Sequence, residues 1–260
     1  MEFPFQKYQG TGNDFVIVQE SDLSRPLTIT EIKAICARSF GVGSDGLMII
    51  GSSGVADYKL EFFNPDGSQS FCGNGARCSV AFALAHGLFH ERCVFEAFDG
   101  LHEGIVMEDE IAIAMREVHS AQLYSDGFYC HTGSPHLMVG VDDLNEMDIV
   151  SRGRKLRYDD RFSPGGTNVN FLQSINGRWH MRTYERGVEQ ETLSCGTGAT
   201  AAGLFIMDQS ALVLNQVELQ TLGGKLTILA QKTGPFQFKS VYLKGSVKHV
   251  FNGVWQTLED

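Results

Sequence analysis

The stretch Phe71-Cys72-Gly73-Asn74-Gly75-Ala76-Arg77-Cys78 decides the fold, because it returns later as Ser194-Cys195-Gly196-Thr197-Gly198-Ala199. Both copies read Cys-Gly-x-Gly-Ala, and both lead into small and apolar residues, 80–85 after the first and 201–207 after the second. This composition predicts two buried helices that begin at the glycines. The N–H groups at a helix start attract anions, and the same positive end favours a thiolate over a thiol. Each copy therefore predicts a reactive thiol beside a carboxylate-sized anion site.

The repeat extends beyond the cysteines. A matching strand pattern precedes each copy, at Gly12–Val18 and at Gly133–Val139, and a matching hairpin pattern follows each. Such order indicates an internal duplication, and two copies predict paired domains. We expect residues 1–118, completed by a returning strand in 247–260, to form the domain with Cys72, and residues 119–246 to form the domain with Cys195. Facing each other across a cleft, they would place one thiol on each face of a bound molecule.

Composition narrows the class of protein. The 260 residues are 43% hydrophobic, enough for a core in each half, and 31 acidic against 21 basic residues give a net charge of −10. This charge argues against a nucleic-acid or anionic-membrane partner. Neither a secretory leader nor an apolar run of membrane-spanning length is visible, so we expect a cytoplasmic protein with reduced cysteines.

Local patterns place several further elements. Thr28 to Glu31 has capping-box spacing, which predicts a short helix. The glycine-rich run Gly41–Gly46 is interpreted as a turn, because its strand and helix come in the wrong order for a dinucleotide fingerprint. Clean alternation predicts a strand over Trp179–Glu185, which delivers Arg186 to a turn shortly before Cys195.

Two opposed thiols suit the inversion of a stereocentre that bears a hydrogen. A base removes the α-proton from one face and an acid returns a proton to the other, and a thiolate and a thiol can exchange these roles. Two helix starts around the substrate carboxylate would stabilise the enolate-like charge that develops. The duplicated thiols therefore predict a racemase or epimerase.

At these residues the chain resembles the diaminopimelate epimerase family, nearly end to end. The resemblance rests on six segments in the correct order: 12–15, 64–68, 72–78, 166–170, 185–187 and 195–199. It implies an α/β (α+β) fold of two pseudo-symmetric domains, each a curled mixed or antiparallel sheet around a central helix. It also implies pyridoxal-phosphate-independent interconversion of LL- and meso-diaminopimelate in lysine and peptidoglycan-precursor synthesis, by a homodimer without cofactor or metal.

The resemblance also implies roles for individual residues. Cys72 and Cys195 become the acid–base pair. His136 and Glu185 would adjust the pKa values of the thiols, and Arg186 would pair with the distal carboxylate of the substrate. The other residues implied to bind the amino-acid substrate are Asn13, Asn64, Gly73, Asn74, Asn168, Glu185, Gly196 and Thr197.

Two departures from the family pattern keep alternatives open. Ser134 stands where many members have asparagine, and Gly46 where some have glutamine, so another amino acid such as histidine remains a candidate substrate. From other classes, the thiols could serve a thiol–disulfide redox protein, or the chain could be an inactive amino-acid-binding module. The four cysteines outside these roles are predicted to be core residues: Cys36, Cys78, Cys93 and Cys130. His86 and His90 are predicted to be surface or helix-end residues rather than metal ligands.

Overall fold

The computed structural model describes residues 1–257, and these form two compact units. The first comprises Met1–Ile113 with the chain from Ser246 onward, and the second comprises Ala114–Gly245. Val118, where the sequence places the end of the first half, instead bridges to Phe238. Within the described residues, no helix is both long and apolar enough to span a bilayer.

The first unit is a mixed sheet with two helices. Its strands are β1 (Glu2–Gly10), β2 (Asn13–Gln19), β3 (Gly46–Gly51), β4 (Tyr58–Phe63), β5 (Arg92–Ala97), β6 (Gly100–Met107), β7 (Glu110–Ala114) and β17 (Lys248–Gln256), and its helices are α1 (Ile29–Cys36) and α2 (Gly73–Ala85). β2 runs parallel to β3 and β4 runs parallel to β5, whereas β1–β2, β3–β4 and β5–β6 are antiparallel. β17 pairs with β1 along almost its whole length, so the end of the chain closes this sheet.

The second unit repeats this topology. Its strands are β8 (Gln122–Tyr124), β9 (Gly127–His131), β10 (Pro135–Gly140), β11 (Asn168–Ile175), β12 (Arg178–Glu185), β13 (Gln190–Thr192), β14 (Gln216–Thr221), β15 (Gly224–Gly234) and β16 (Gln237–Ser246), and its helices are α3 (Ile149–Arg157) and α4 (Gly196–Gln209). β10–β11 and β12–β14 are parallel, and β9–β10, β11–β12 and β14–β15 are antiparallel. The order of strand directions is that of the first unit, which confirms the predicted α/β (α+β) fold class.

Each sheet is covered by a crossover helix and a central helix. In the first unit, Ile32 and Ile35 of α1 pack against Val16 and Leu47 of the parallel strands. β2 and β3 are buried along most of their length, as expected of parallel strands covered on both faces. α2 contacts β1 to β4, and α4 likewise contacts β9, β10, β11, β14 and β15. The central helices are therefore the most enclosed elements of their units.

Capping and packing explain where the helices begin. Thr28 accepts the Glu31 N–H and Glu31 accepts the Thr28 N–H, so the predicted capping box is confirmed at the start of α1. Ten of the 13 residues of α2 are buried, down to its first residue. The first N–H groups of this helix have no acceptor within it, so they need a partner from outside the helix.

The packing of α4 yields a stability prediction. A Cβ at Gly203 would lie 2.7 Å from the Cβ of Ile228, a position that a side-chain rotation cannot relieve. Overpacking costs about 1–3 kcal/mol, and the gain in helix propensity from glycine to alanine returns about 1 kcal/mol. We expect Gly203→Ala to lower the free energy of unfolding by about 1–2 kcal/mol in urea titrations. Gly54→Ala is the control, because a Cβ there meets nothing within 4 Å; equal stability of the two variants would contradict this packing.

Candidate active site

Cys72 is the N-cap residue of α2. Its backbone is extended, with φ −121° and ψ 113°, and its carbonyl accepts the first helical hydrogen bond from Ala76 at 2.7 Å. The Gly75 N–H points at the Cys72 sulfur, 3.5 Å away. The earlier N–H groups of this turn, at Gly73 and Asn74, have no acceptor within the helix. The thiol therefore lies at the positive end of a buried helix, beside main-chain donors.

Cys195 has the same geometry in the second unit. It is the N-cap residue of α4, with φ −120° and ψ 111°, and its carbonyl accepts the Ala199 N–H at 2.8 Å. The backbone angles of the two cysteines agree to within two degrees. The sequence repeat is thus a repeat of local structure, with a sulfur at the start of each central helix.

The second glycine of each copy lets the helix approach its sheet. A Cβ at Gly198 would lie 2.4 Å from Oδ1 of Asn170, and a Cβ at Gly75 would lie 3.3 Å from the ring of Phe62. Alanine at Gly198 would have to displace a buried amide. The glycines therefore allow each helix start to pack closely against its sheet.

Three polar side chains surround Cys195. Its sulfur lies 3.6 Å from the Thr197 hydroxyl, and that hydroxyl lies 2.8 Å from Nε2 of His136 and 3.3 Å from Oγ of Ser134. Ser134 is also 2.9 Å from the same imidazole nitrogen. The described contacts thus lead from His136 to the sulfur through the Thr197 hydroxyl.

Hydrogen-bond partners fix the protonation state of His136. The Asn170 amide donates to the Leu137 carbonyl at 3.3 Å and accepts the Thr183 hydroxyl at 3.0 Å, so its nitrogen faces Nδ1 of His136 at 3.1 Å. Nδ1 is then an acceptor and Nε2 carries the proton towards Thr197 and Ser134. The ring is fully buried, and this burial lowers the pKa of His136 to about 3. His136 is therefore neutral at physiological pH.

Asn168, Glu185 and Arg186 lie close to this site. Asn168 is paired in register with His136 across the parallel strands β10 and β11, donates to Ser134 at 3.1 Å and accepts the Arg186 N–H at 2.8 Å. Glu185 ends β12 and accepts the Thr192 hydroxyl at 2.8 Å. The Arg186 guanidinium reaches the Gly165 carbonyl at 3.4 Å, and no described carboxylate forms an ion pair with it.

Asn13 and Asn74 lie beside Cys72 in the first unit. Oδ1 of Asn13 is 3.8 Å from the Cys72 sulfur and accepts the Asn74 amide N–H at 3.3 Å. The Asn13 amide nitrogen donates in turn to the Asp45 carboxylate. The structure therefore brings both predicted asparagines to the first thiol.

Asn64 is held within its own turn. Its amide donates to Ser68 at 3.0 Å and accepts from Ser70 at 3.2 Å, two residues before Cys72. The Asn64 backbone closes the same turn through Ser68 and Gly67. Its role as a substrate ligand remains a prediction.

The four other cysteines are core residues, as predicted, since Cys36, Cys78, Cys93 and Cys130 are all buried. Burial raises the pKa of Cys93 and of Cys130 to about 12, and it also raises the pKa values of Cys36 and Cys78. These thiols stay protonated at neutral pH, so they cannot compete as nucleophiles or bases.

Comparison with known proteins identifies the family. The family model described as diaminopimelate epimerase matches residues 5–118 and 128–250. The chain is 38% identical over 249 residues to a diaminopimelate epimerase of Flavobacterium psychrophilum, covering 94% of this chain and 97% of the relative. It is 35% identical to a diaminopimelate epimerase of Aquifex aeolicus, with 96% of each chain covered. The chain belongs to the diaminopimelate epimerase family.

Solved structures support the fold. A phenazine biosynthesis protein of the PhzF family from Bacillus anthracis superimposes with a TM-score of 0.78 at 17% identity, covering 99% of this chain and all of that one. A hydroxyproline epimerase from Agrobacterium vitis superimposes with a TM-score of 0.70 at 14% identity, covering 97% of this chain and 92% of that one. At these identities the likeness concerns the fold alone.

The two departures from the family pattern have structural counterparts. Ser134 lies in the Cys195 site, between Asn168, His136 and Thr197. At Gly46, a Cβ would lie 2.7 Å from the ring of Phe62 and 2.9 Å from the Phe63 carbonyl, so that ring occupies the space of a side chain. A glutamine at this position therefore requires Phe62 to move.

The sequence patterns assign no role to three polar residues that lie near the two thiols. Asn170 is fully buried and holds His136, and a polar residue two positions beyond Asn168 in an apolar strand was a usable signal. Asp45 lies in a glycine-rich run that predicts a turn, yet its carboxylate accepts from Asn13. Arg77 lies in the first motif without a local signal for a role, and it is fully buried beside Asn74.

The depressed pKa of His136 predicts acid sensitivity. A histidine in the unfolded chain has a pKa of about 6.5, so protonation favours unfolding as the pH falls from about 6.5 towards 3, and above this window the stabilisation is complete. Between pH 7.5 and 5.0 the free energy of unfolding should fall by about 2 kcal/mol from this residue. Urea titrations at both pH values would measure it against His136→Gln, which does not titrate. The same pH dependence in both proteins would show that His136 is not held neutral.

Proposed function

We propose that the chain interconverts LL- and meso-2,6-diaminopimelate by two-base proton transfer through Cys72 and Cys195. Membership of the diaminopimelate epimerase family makes it an isomerase that acts on an amino acid. The observation that carries the mechanism is the repeated helix start, a cysteine N-cap with the same backbone angles in both units. No cofactor is needed in this mechanism, because the two sulfurs supply both proton transfers.

The chemistry requires one thiol on each face of the α-carbon. A thiolate removes the α-proton on one face, and the opposite thiol delivers its proton to the other face, so the stereocentre inverts. The two cysteines then hold the reverse protonation states and are ready for the reverse reaction. A free cysteine has a pKa of about 8.5, so the helix start, worth about 0.3–1 kcal/mol, helps one sulfur to ionise.

Main-chain donors stabilise the intermediate. Removing the α-proton moves negative charge onto the substrate carboxylate. The N–H groups of Gly73, Asn74, Gly196 and Thr197 are proposed to donate hydrogen bonds to that carboxylate. These groups begin buried helices, so no solvent rearrangement is needed when the charge appears. The glycines leave room for the carboxylate to reach the N–H groups.

The remaining predicted residues are proposed to bind the substrate or to adjust the pKa values of the thiols. Arg186 is proposed to grip the distal carboxylate, since its guanidinium has only a long bond to a carbonyl within the described chain. The amides of Asn13, Asn64 and Asn168 are proposed to hold the polar groups of the substrate. Glu185 and the neutral His136 are proposed to set the pKa values of the thiols, with His136 acting through Thr197.

Proton exchange in D₂O tests the proposal. LL-diaminopimelate is followed by NMR with reduced wild-type protein, Cys72→Ala and Cys195→Ala. Wild type should incorporate deuterium at the α-carbon and yield the meso isomer, and either variant should lose epimerisation by at least about a thousandfold because one face lacks its acid or base. Cys78→Ala is the matched control, since this buried thiol lies on α2 outside the proposed chemistry. Folded, reduced wild type without exchange would refute the diaminopimelate assignment.

The proposed role of Arg186 gives a second kinetic prediction. Losing a charge-assisted hydrogen bond costs about 1.5–3 kcal/mol, so Arg186→Met should lower kcat/KM about ten- to a hundredfold. Arg178→Met serves as control, because this exposed arginine begins the same strand, β12. An unchanged kcat/KM in Arg186→Met would remove Arg186 from the binding site.

The same chemistry on another amino acid is the second candidate. Ser134 in the Cys195 site and the Phe62 ring beside Gly46 are the observations that favour it, because both change groups around the site. A panel of amino acids in D₂O, histidine included, distinguishes the candidates by which α-proton exchanges. If the α-proton of another amino acid exchanges and that of diaminopimelate does not, the proposed reaction type stands and that amino acid replaces diaminopimelate as the substrate.

The expected cytoplasmic location and the homodimer implied by the resemblance to the family also remain proposals. Sedimentation equilibrium of the purified protein tests the dimer directly. A single species of about 28.6 kDa, the mass of one chain, would contradict it.

A further inference from the structure

Four side chains beside Cys72 form a continuous hydrogen-bonded chain. The Arg77 guanidinium donates through Nη2 to Oδ1 of Asn74 at 2.9 Å, and the Asn74 amide nitrogen donates to Oδ1 of Asn13 at 3.3 Å. The Asn13 amide nitrogen then donates to the carboxylate of Asp45. A cation therefore stands at one end of two side-chain amides, and an anion stands at the other end.

The charged ends allow only one orientation of the amides. A guanidinium can only donate, so the oxygen of Asn74 must face Arg77 and its nitrogen must face Asn13. A carboxylate can only accept, so the nitrogen of Asn13 must face Asp45 and its oxygen must face Asn74. The two requirements agree in the middle of the chain. They leave the Asn13 oxygen 3.8 Å from the Cys72 sulfur.

The described contacts give the Arg77 cation little support. Besides Asn74, its Nη2 donates only to the buried Thr11 hydroxyl, at 2.9 Å. Its side chain is fully buried near the start of α2, where the helix dipole disfavours a cation. No described carboxylate forms an ion pair with it, and its Nε and Nη1 atoms have no hydrogen-bond partner among the described residues. Burial lowers the pKa of Arg77 to about 10, so it is still charged at neutral pH. A buried cation with so few partners is costly, which points to a role outside stability.

The second copy of the motif provides an internal comparison. Thr200 occupies the place of Arg77 relative to the helix start, and it is equally buried. Its hydroxyl donates to the Gly196 carbonyl of its own helix at 3.0 Å. The same backbone frame thus forms without a cation, so Arg77 serves something particular to the Cys72 site.

We propose that Arg77 and Asp45 are positioning residues that fix the amide orientations of Asn74 and Asn13 from opposite ends of one hydrogen-bonded chain. Through these amides they determine which atom of Asn13 faces the Cys72 sulfur and which groups meet the substrate. This inference rests on the function proposed above, in which both asparagines bind substrate next to the reacting thiol.

A double-mutant cycle tests the hydrogen-bonded chain from Arg77 to Asp45. Arg77→Met removes the cation, Asp45→Ala removes the carboxylate, and either remaining end still orients both amides. The double variant removes both charged ends, so its kcat/KM for epimerisation should fall at least about tenfold below the product of the two single effects. Arg77 and Asp45 are separated by two intervening side chains, and residues without contact ordinarily act independently. A double variant whose kcat/KM equals the product of the two single effects would overturn the proposal.

Arg38 supplies a matched control for Asp45. Its exposed guanidinium bonds to the carboxylates of Asp14 and Asp45 but to neither asparagine. Arg38→Gln therefore removes a charge from the same cluster and leaves the Asp45 bond to Asn13 in place. When Arg38→Gln is combined with Arg77→Met, kcat/KM should fall by the product of the two single effects. Coupling as large as that of Asp45→Ala would refute a chain that runs through Asn13.

A second readout separates this proposal from the proposed function. The alkylation rate of Cys72 by iodoacetamide, measured by peptide mass spectrometry, needs no substrate and reports the group that faces the sulfur. The same coupling should appear in this rate even if diaminopimelate proves to be the wrong substrate. If the two substitutions are coupled neither in the alkylation rate nor in turnover, the proposed hydrogen-bonded chain is refuted.

Thermal unfolding distinguishes positioning from a structural role. Because Arg77 is buried with few partners, Arg77→Met should keep the Tm of wild type or raise it, and the loss of activity should appear when Asp45→Ala is added. A lower Tm of Arg77→Met, with no extra loss of activity in the double variant, would make Arg77 a structural residue. If Arg77→Met does not fold, Arg77→Gln replaces it in the cycle, because a glutamine can present either its oxygen or its nitrogen to Asn74.

Discussion

Each central helix begins inside the protein, and this constraint governs the rest of the structure. A buried helix start has N–H groups without intrahelical acceptors, and each needs an acceptor from outside the helix. The structure meets this constraint with a cysteine at the N-cap and glycines in the first turn, so a ligand anion can supply the acceptors. The sheets follow from the same constraint, because burying α2 and α4 requires strands that are covered on both faces.

Burial also makes the direction of each hydrogen bond informative. An Asn170 amide held by the Leu137 carbonyl sets the tautomer of His136, and a neutral imidazole then donates towards Thr197. In water such groups would exchange partners freely. Inside the protein an unsatisfied polar atom is costly, so one arrangement prevails and the thiol environment is determined before substrate binds.

Local chemistry was predictable from the sequence, whereas long-range contacts were not. The cysteine N-caps, the Thr28 capping box and the alternating strand that ends at Glu185 depend on residues close in the chain, and the structure has all three. Asp45 reads as a turn residue, since its contact with Asn13 joins residues 32 positions apart. Two amides separate Arg77 from Asp45, and no spacing rule connects them.

The two copies of the motif agree in backbone and differ in charge. Cysteine, glycine and alanine recur at matching positions because they shape the helix start and its packing. Both units have the same helix start. Arg77 and Thr200 differ, and so do the neighbours of the sulfurs, an amide oxygen at Cys72 and a hydroxyl at Cys195. In the proposed two-base reaction, the two thiols act on opposite faces of one carbon. Divergent side chains on a duplicated frame therefore give each face its own surroundings.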